Sequence, residues 1–246
     1  MARAAVQRRL TWLPATVVDN RAETSRVHRL IFDVPGWQGH VPGQHLDIRL
    51  TAEDGYTAQR SYSIASPPEE PHLHLLVEQL PEGEVSPYLT EQTSPGDVLE
   101  LRGPIGRFFV WSAADDPEAR PVQLIAGGSG VAPFVAMLDQ HRRTGSATPV
   151  RLLYSTRTLD DVLAPATLEP YATLTLTRQT PAGWQGETGR IDAALLAQHT
   201  FPPDVRPRIF VCGATVFAET VATALVDAGH DSAMIRIERY GITGGL

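Results

Sequence analysis

The feature that most constrains the fold is a change in the pattern of the sequence near residue 112. Before this point, short segments with strand character are separated by turns such as Pro35-Gly36, Pro42-Gly43 and Pro95-Gly96. Several short strands at this spacing predict an antiparallel barrel or sandwich. The strand candidates are Val27 to Val34, His45 to Leu50, Leu73 to Leu80 and Asp97 to Leu101.

After residue 112, apolar strand candidates alternate with helical segments. Two of these segments place apolar residues on one helical face. They are Val131, Phe134, Val135 and Leu138 in the first, and Phe217, Val221 and Leu225, followed by Gly229 as a stop signal, in the second. The strand candidates are Val122 to Ala126, Val150 to Tyr154, Thr173 to Thr177, Ile209 to Cys212 and Ala233 to Glu238.

Alternation of strands and helices predicts a parallel sheet that is covered on both faces. The expected architecture is therefore an antiparallel β-barrel domain over residues 1–114, followed by an α/β domain with a five-stranded parallel sheet over residues 115–246. The polar, proline-containing segment 112–121 would join the two domains.

The composition indicates a globular chain. Of 246 residues, 42% are hydrophobic and 20% are charged, and no apolar run approaches the roughly 18 residues that a membrane span needs. The basic first residues are not followed by the apolar segment of a secretory signal, so a cytoplasmic location is expected. A formal charge of −7 does not favour a nucleic-acid partner, which needs a basic face.

The single cysteine, Cys212, limits the redox chemistry that the chain itself can carry. An intramolecular disulfide needs two cysteines, and an iron–sulfur cluster usually needs four. His72 and His74 share a strand face, but no third ligand stands near them in the sequence, so no metal site is expected. Electron transfer would therefore need an organic cofactor, or a metal centre on another chain.

The segment from Gln59 to Ser66 carries groups that a flavin nucleotide needs. Arg60 offers a fork of donors for a diphosphate, Tyr62 offers an aromatic face for the flavin ring, and Ser63 offers a hydroxyl for flavin N5. Residues two apart on a strand share a face, so Arg60 and Tyr62 should point the same way. Taken alone, the segment is explained equally well as an ordinary strand with an exposed arginine.

Downstream, Ser86 and Pro87 predict a helix with Ser86 as its N-cap and Pro87 in the first helical position. The free N–H groups at such a helix start can bind a diphosphate. A capped surface helix without a ligand explains the same dipeptide.

The run Gly127-Gly128-Ser129-Gly130-Val131-Ala132-Pro133 joins a strand to a helix and predicts a second diphosphate site. Glycines let the backbone pass close to a diphosphate, and Pro133 suits a first helical turn. The spacing is not the G-x-G-x-x-G fingerprint of dinucleotide-binding folds. A glycine-rich turn without a ligand is the alternative.

Ser155 and Arg157 follow the next strand, and Arg178 follows the one after it. In open α/β sheets the carboxyl ends of the strands face the nucleotide. These residues suit the extra phosphate of NADP, whereas an acidic residue usually marks NAD, and Asp160 and Asp161 come too late for that role. NADPH is therefore the expected donor and NADH a possible one, unless Arg157 only caps a loop in solvent.

Three stretches resemble the ferredoxin–NADP⁺ reductase superfamily, and in particular the reductase components of bacterial oxygenases. They are RSYSIAS at 60–66, VEQLPEGEVSPYL at 77–89 and GDVLELRGPIGRFF at 96–109. The resemblance extends along nearly the whole chain. It implies an FAD-binding barrel and an NAD(P)-binding α/β domain, without the ferredoxin domain that follows in many oxygenase-type relatives.

The resemblance also implies roles for single residues in the first half. In the family, the residues that match Arg60, Tyr62 and Ser63 bind the flavin phosphate, stack on the ring and approach N5. The motif that matches Gly83 to Ser86 cradles the diphosphate and is typical of FAD rather than FMN. The cofactor-binding residues expected here are Arg60, Ser61, Tyr62, Ser63, Val77, Glu78, Gln79, Gly83, Val85 and Ser86.

In the second half, the family loop G-G-[ST]-G-x-[AT]-P places Ser129 near the nicotinamide, and a Cys-Gly motif places Cys212 beside it. Glu238 and Tyr240 match residues that close over the flavin in some relatives, although terminal fraying is the alternative. The further binding residues expected are Gly128, Ser129, Gly130, Val131, Pro133, Ser155, Arg157, Arg178, Cys212, Gly213 and Tyr240. The expected catalytic residues are Tyr62, Ser63, Cys212 and Glu238.

Together these features predict an FAD-dependent NAD(P)H oxidoreductase. A hydride would pass from the nicotinamide to the flavin, and electrons would then pass to a separate ferredoxin, iron–sulfur protein or haem protein. Two alternatives stay open. One is a flavin or ferric-chelate reductase with a small-molecule acceptor, and the other is a non-catalytic nucleotide-binding or electron-transfer subunit.

Overall fold

Two six-stranded sheets, one antiparallel and one parallel, follow each other along the chain. The computed structural model describes residues 10–240, except 115, 117 and 118. The predicted order of a β-barrel and an α/β domain is confirmed.

The antiparallel sheet has the strand order β4-β3-β6-β1-β2-β5. A bridge between Ile64 and Leu75 links the end of β4 to β5, so the sheet curls towards closure. Apolar side chains such as Leu30, Leu46 and Ile48 fill its interior. The strands are β1 (Leu13–Ala22), β2 (Val27–Asp33), β3 (His45–Thr51), β4 (Thr57–Ser63), β5 (Leu73–Glu78) and β6 (Val98–Ile105).

The parallel sheet has the order β10-β9-β8-β7-β11-β12, with six strands rather than the five expected. The additional strand, β10, is only two residues long, which is too short for an apolar pattern to indicate it. It lies at the outer edge, beside β9. The strands are β7 (Val122–Gly127), β8 (Val150–Thr156), β9 (Ala172–Leu176), β10 (Glu187–Thr188), β11 (Arg208–Ala214) and β12 (Ile235–Tyr240).

Helices flank this sheet as its apolar strands require. The predicted apolar face of α5 is confirmed, because Val221 and Leu225 are buried, and Gly229 follows the helix with a positive φ of 93°. Pro133 lies in the first turn of α2, where its missing N–H costs nothing. The helices are α1 (Val85–Pro87), α2 (Ala132–Thr144), α3 (Pro165–Leu168), α4 (Ala193–His199) and α5 (Thr215–Asp227).

Aromatic residues after β6 connect the two domains. The ring of Phe109 lies 5.8 Å from that of Phe134 on α2 and 5.3 Å from that of Phe210 on β11. Trp111 belongs to the same buried cluster. These residues precede the boundary expected at 114, yet they pack in the core of the α/β domain, which holds the two domains in contact.

Within the described part of the chain, no helix is long and apolar enough to cross a membrane. The same residues include no group of three or more His, Cys, Asp or Glu side chains placed to hold a metal ion.

Candidate functional site

Strand β4 carries the first group of expected site residues. Tyr62 pairs with Leu46 of β3, and Arg60 pairs with Ile48, so Tyr62 and Arg60 share a face of the sheet as expected. Tyr62 is half-buried against the barrel core, whereas the Arg60 guanidinium is 55% exposed and lies 3.8 Å from the Glu84 carboxylate. An aromatic ring and an accessible cation therefore lie side by side.

Ser61 and Ser63 lie on the opposite face of β4 and have different environments. Ser61 Oγ donates to Asp47 Oδ1 at 2.6 Å, and Arg102 donates to the other carboxylate oxygen at 2.6 Å. Burial alone would raise the pKa of Asp47, but these two hydrogen bonds outweigh it and lower the pKa. The Ser61 hydroxyl is thus hydrogen-bonded to another residue of the barrel, Asp47.

The loop before α1 differs from the expectation in one respect. Helix α1 begins at Val85 with Glu84 as its N-cap residue, so Ser86 is not the N-cap and Pro87 is not the first helical residue. Ser86 Oγ instead accepts the N–H of Leu80 at 3.0 Å and holds the loop closed. The Ser-Pro pair resembled a cap because a hydroxyl can satisfy either a helix N–H or a loop N–H.

Gly83 lies inside this closed loop. A Cβ atom added there would lie 3.1 Å from both Leu80 O and Ser86 Oγ. A side chain there would require Leu80 or Ser86 to shift by a few tenths of an ångström, and the loop passes the Glu84 carboxylate close to Arg60. Val85 is buried, and this anchors the loop in the barrel core.

Strand β12 brings Glu238 across the domain interface to the barrel. Ser63 Oγ donates to Glu238 Oε2 at 3.5 Å, and His45 Nδ1 lies 3.7 Å from Glu238 Oε1. Cys212 is the neighbour of Glu238 on β11. Three of the four expected catalytic residues thus meet at one point. His45 joins them, although the sequence indicated it only as the first residue of a strand.

Burial controls the protonation of this cluster. It raises the pKa of Glu238 from 4.5 to about 7, against a lowering effect of the Ser63 hydrogen bond. It also raises the pKa of the Cys212 thiol well above its usual value, with a further contribution from the Glu238 charge. Cys212 is therefore a packing group at neutral pH, whereas Glu238 can hold or release a proton there.

We expect Glu238→Gln to stabilise the ligand-free chain above pH 7. The folded state holds the Glu238 proton more tightly than the unfolded state does, so wild-type stability falls as the pH rises from about 4.5 to about 7. The uncharged amide of the variant removes this loss of stability, which is worth at most about 3 kcal/mol, or several degrees in Tm. Thermal unfolding at pH 4 and pH 8 measures the difference.

Glu219→Gln is the matched control, because Glu219 is an exposed carboxylate on α5 with an ion-pair partner in Arg239. It should show no comparable gain at pH 8. An equal Tm difference between wild type and Glu238→Gln at pH 4 and pH 8 would contradict the raised pKa of Glu238.

The glycine-rich run forms a tight 3₁₀ turn, Gly128–Val131, between β7 and α2. A Cβ atom at Gly130 would lie 2.5 Å from Cys212 O and 2.8 Å from Gly213 N. Only glycine lets this turn approach β11 so closely. The turn therefore sits directly beside the Cys212–Gly213 pair.

Residues at the end of β5 link the barrel to this turn. Ser129 Oγ donates to Glu78 Oε2 at 2.7 Å, and Arg26 Nη2 lies 2.8 Å from Glu78 Oε1. Val77 is buried in the barrel, and the Gln79 N–H donates to Arg26 O at 2.8 Å. The stretch expected at the flavin edge thus contacts the glycine-rich turn through Glu78.

A cleft of about 640 Å³ runs along the carboxyl edge of the parallel sheet and reaches the barrel. Ser155 and Arg157 line it, as expected, but Arg178 does not. Arg190, which the sequence analysis did not select, lines it instead. Arg178 follows the end of β9, but its backbone N–H bonds to Arg157 O and its side chain is exposed outside the cleft.

Phe217, in the first turn of α5, is a cleft residue that the sequence indicated only as part of a helical face. A Cβ atom added to Gly127 would lie 3.0 Å from the Phe217 ring, and a Cβ atom added to Gly213 would lie 2.5 Å from it. Both glycines are therefore needed for the ring to cover the ends of β7 and β11.

Tyr240, at the end of β12, reaches over the glycine-rich turn. Its hydroxyl donates to Gly127 O at 2.7 Å and accepts the Gly130 N–H at 3.3 Å. Enclosure of the hydroxyl raises the pKa of Tyr240 to about 12. Tyr240 thus occupies a backbone donor of the glycine-rich turn, and the expectation that it closes over the flavin stays a prediction.

The two half-sites fit the cofactors that the resemblance implies. The exposed Arg60 guanidinium next to the Tyr62 ring suits a flavin diphosphate and its ring system. Ser63 lies across the interface from Cys212 and Glu238, so a ring on the barrel side and a nicotinamide on the cleft side would meet there.

Two families of known domains match the chain and together cover most of it. The family described as Oxidoreductase FAD-binding domain matches residues 14–110, and that described as Oxidoreductase NAD-binding domain matches residues 124–223.

Among curated proteins, the chain is similar to the glycine betaine monooxygenase reductase subunit of Chromohalobacter salexigens. The two are 30% identical over 213 residues, which is 82% of this chain and 56% of that protein. NADH-cytochrome b5 reductase 1 of Lodderomyces elongisporus is 31% identical over 78% of this chain and 65% of its own length. The chain thus spans a little over half to about two thirds of these two relatives.

Solved structures show the same fold. The flavohem-like FAD/NAD binding domain of nitric oxide dioxygenase from Vibrio cholerae has a TM-score of 0.79 at 22% identity, covering 93% of this chain and 98% of that one. A ferredoxin NADP+ reductase from Neisseria gonorrhoeae has a TM-score of 0.77 at 18% identity, covering 93% of this chain and 98% of that one. With its FAD-binding and NAD-binding oxidoreductase domains in this order, the chain belongs to the ferredoxin–NADP⁺ reductase superfamily.

Proposed function

We propose that the chain is an FAD-dependent NAD(P)H oxidoreductase that delivers electrons to a separate redox protein. The observation that carries this proposal is the meeting of Ser63 from the barrel with Cys212 and Glu238 from the α/β domain. This meeting point lies next to the nucleotide-sized cleft and its glycine-rich turn. A flavin and a nicotinamide could be held face to face there.

The proposed roles follow from the geometry. Arg60 holds the diphosphate of FAD, Tyr62 packs against its ring, and the glycine-rich turn holds the diphosphate of the dinucleotide. FAD, when bound, supplies the hydride-accepting and electron-donating chemistry. Cys212 contributes close packing, because its buried thiol stays protonated. Ser63 and Glu238 hold a proton near the ring at neutral pH.

The acceptor is proposed to be an iron–sulfur protein, such as a ferredoxin, or a haem protein. Support comes from similarity to reductase subunits and electron transfer components of oxygenases, which act with other components. The chain spans only part of those relatives, so the partner and the whole activity belong to the proposal. We also propose a domain boundary between residues 114 and 115 and a cytoplasmic location.

A comparison of acceptors tests this function. With NADPH as donor, the FAD-loaded chain should reduce a ferredoxin or a one-electron haem protein at a higher kcat/KM than free FMN or ferric citrate. Faster reduction of FMN or ferric citrate would favour the small-molecule reductase. Failure to reduce any acceptor, with FAD bound, would favour a non-catalytic subunit.

Tyr240→Phe should tighten binding of NADP⁺ by roughly 2- to 10-fold, because removing one hydrogen bond to a backbone N–H frees Gly130 for the diphosphate. Isothermal titration of the FAD-loaded chain measures this change. Tyr56→Phe removes a hydroxyl that bonds Glu84 on the barrel surface and should leave NADP⁺ affinity unchanged. Weaker binding by Tyr240→Phe would show that the hydroxyl supports the nucleotide instead.

A further inference from the structure

The order of the strands fixes the direction in which a dinucleotide would lie in the cleft. Cys212 and Glu238, on β11 and β12, mark the nicotinamide end, and the glycine-rich turn after β7 marks the diphosphate. The adenosine half must then extend over the carboxyl ends of β8, β9 and β10. Adjacent strands are about 4.8 Å apart, so β10 lies on the order of 14 Å from β7.

Arg190 stands at this far end of the cleft. It follows β10, and the hydrogen bonds from Gly189 N to Leu176 O and from Thr175 Oγ1 to Gly189 O hold that segment against β9. Ile191, the next residue, is buried beneath α5 and anchors the backbone on the other side. The guanidinium is therefore carried by a fixed backbone, while the side chain itself is exposed.

The other cations of the cleft are already paired. Arg157 Nη2 lies 3.2 Å from Asp161 Oδ1, and Arg26 lies 2.8 Å from Glu78. Both carboxylates line the same cleft. Over the described ranges, no carboxylate lies within ion-pair distance of Arg190, so it is the cleft arginine whose charge remains to be balanced by a ligand.

An NADP-type dinucleotide carries one more phosphate than NAD, on the adenosine ribose. We propose that Arg190 binds this 2′-phosphate and thereby makes the chain prefer NADPH to NADH. Ser155 and Thr177 line the same cleft. The inference rests on the proposed function, because it assigns the nucleotide of the same site. The charge that distinguishes NADPH from NADH then lies after β10. It does not lie on Arg178 at the end of β9, where the strand pattern suggested it.

Two probes that differ by one phosphate test the proposal. Titration calorimetry on the FAD-loaded chain compares 2′,5′-ADP with 5′-AMP, which shares the 5′-phosphate and the adenosine. We expect 2′,5′-ADP to bind at least about 10-fold more tightly, since a hydrogen bond between charged groups is worth about 1.5–3 kcal/mol. Arg190→Gln should remove this preference and leave the affinity for 5′-AMP unchanged.

Arg206→Gln is the matched control. Arg206 is an exposed arginine of the same domain, before β11, three strands away from β9 and four from β10, and pairs with Asp231. It should retain the wild-type preference. Arg178→Gln separates the two candidate positions, and loss of the preference in that variant instead of in Arg190→Gln would overturn the proposal.

Two other results would also overturn it. One is equal affinity of the wild type for 2′,5′-ADP and 5′-AMP. The other is that Arg190→Gln weakens the binding of both probes equally, which would mean that Arg190 binds a group that the two probes share. If instead the proposed function is wrong, neither NADP⁺ nor NAD⁺ binds the FAD-loaded chain.

Discussion

Gly130→Val is expected to abolish most reduction of the flavin by NADPH while the chain keeps its FAD. The Cβ atom would lie 2.5 Å from Cys212 O and 2.8 Å from Gly213 N, which are backbone atoms that cannot rotate away. The turn must move off β11, and with it the proposed diphosphate site. A displacement of about 1 Å can cost about 100-fold in rate, and we expect a loss of that order in anaerobic stopped-flow measurements.

Gly39→Ala is the control for this substitution. Gly39 has a positive φ of 84° in the barrel domain, and no atom lies within 4 Å of an added Cβ. The variant therefore carries backbone strain of about 1–2 kcal/mol without touching the cleft, and it should reduce its flavin at the wild-type rate. A wild-type rate in Gly130→Val would show that the turn does not position the nucleotide.

Arg60→Glu is expected to yield a folded chain that no longer retains FAD. The guanidinium is 55% exposed, so its replacement does not disturb the core, and the new carboxylate would face Glu84 at the diphosphate site. Losing an ion pair to a phosphate and adding a like charge costs about 2–5 kcal/mol, or at least about 30-fold in the Kd for FAD. Flavin fluorescence during titration of the apoprotein measures it.

Arg21→Glu provides the same charge reversal elsewhere on the barrel. Arg21 is 61% exposed on β1 and pairs with an acidic neighbour, Asp19. FAD affinity should be unchanged in this variant. If Arg21→Glu and Arg60→Glu weaken FAD to the same extent, only the overall charge of the barrel matters, and Arg60 has no specific role.

The sequence predicted the elements of this fold well because most of them carry an apolar pattern of their own. Strands β7 and β8 each contain a run of three buried apolar residues, Leu124 to Ala126 and Leu152 to Tyr154, and α5 buries the face that its spacing indicates. By contrast, β10 is two residues long and depends on pairing with β9, so its existence is a tertiary effect. Arg190 was missed for this reason, since nothing in its own neighbourhood marks the end of a strand.

Helix α2 shows another limit of sequence patterns. Its apolar face is visible in the sequence, yet its residues from Ala132 to Gln140 are all buried, because the barrel domain covers the side that would otherwise face water. Gln140 accepts the Ala113 N–H and donates to Glu69 across this interface. Contacts of this kind depend on how two domains pack, and no local spacing indicates them.

Within the candidate site, the motifs predicted the backbone turns better than the side-chain partners. The turn at Gly128–Val131, between β7 and α2, agrees with the glycine pattern. The pairing of Glu238 with His45 and Ser63 joins β12 to β3 and β4, elements far apart in the chain. The role of Ser86 was misassigned because the N–H group that donates to its hydroxyl, that of Leu80, lies six residues upstream.

The measurement that tests the central claim most directly is an anaerobic titration of the FAD-loaded chain with NADPH. The proposed function predicts that stoichiometric NADPH bleaches the flavin absorption at about 450 nm, and that air or an acceptor protein restores it. A chain that binds no FAD, or a bound flavin that stays oxidised in excess NADPH and in excess NADH, would contradict the account.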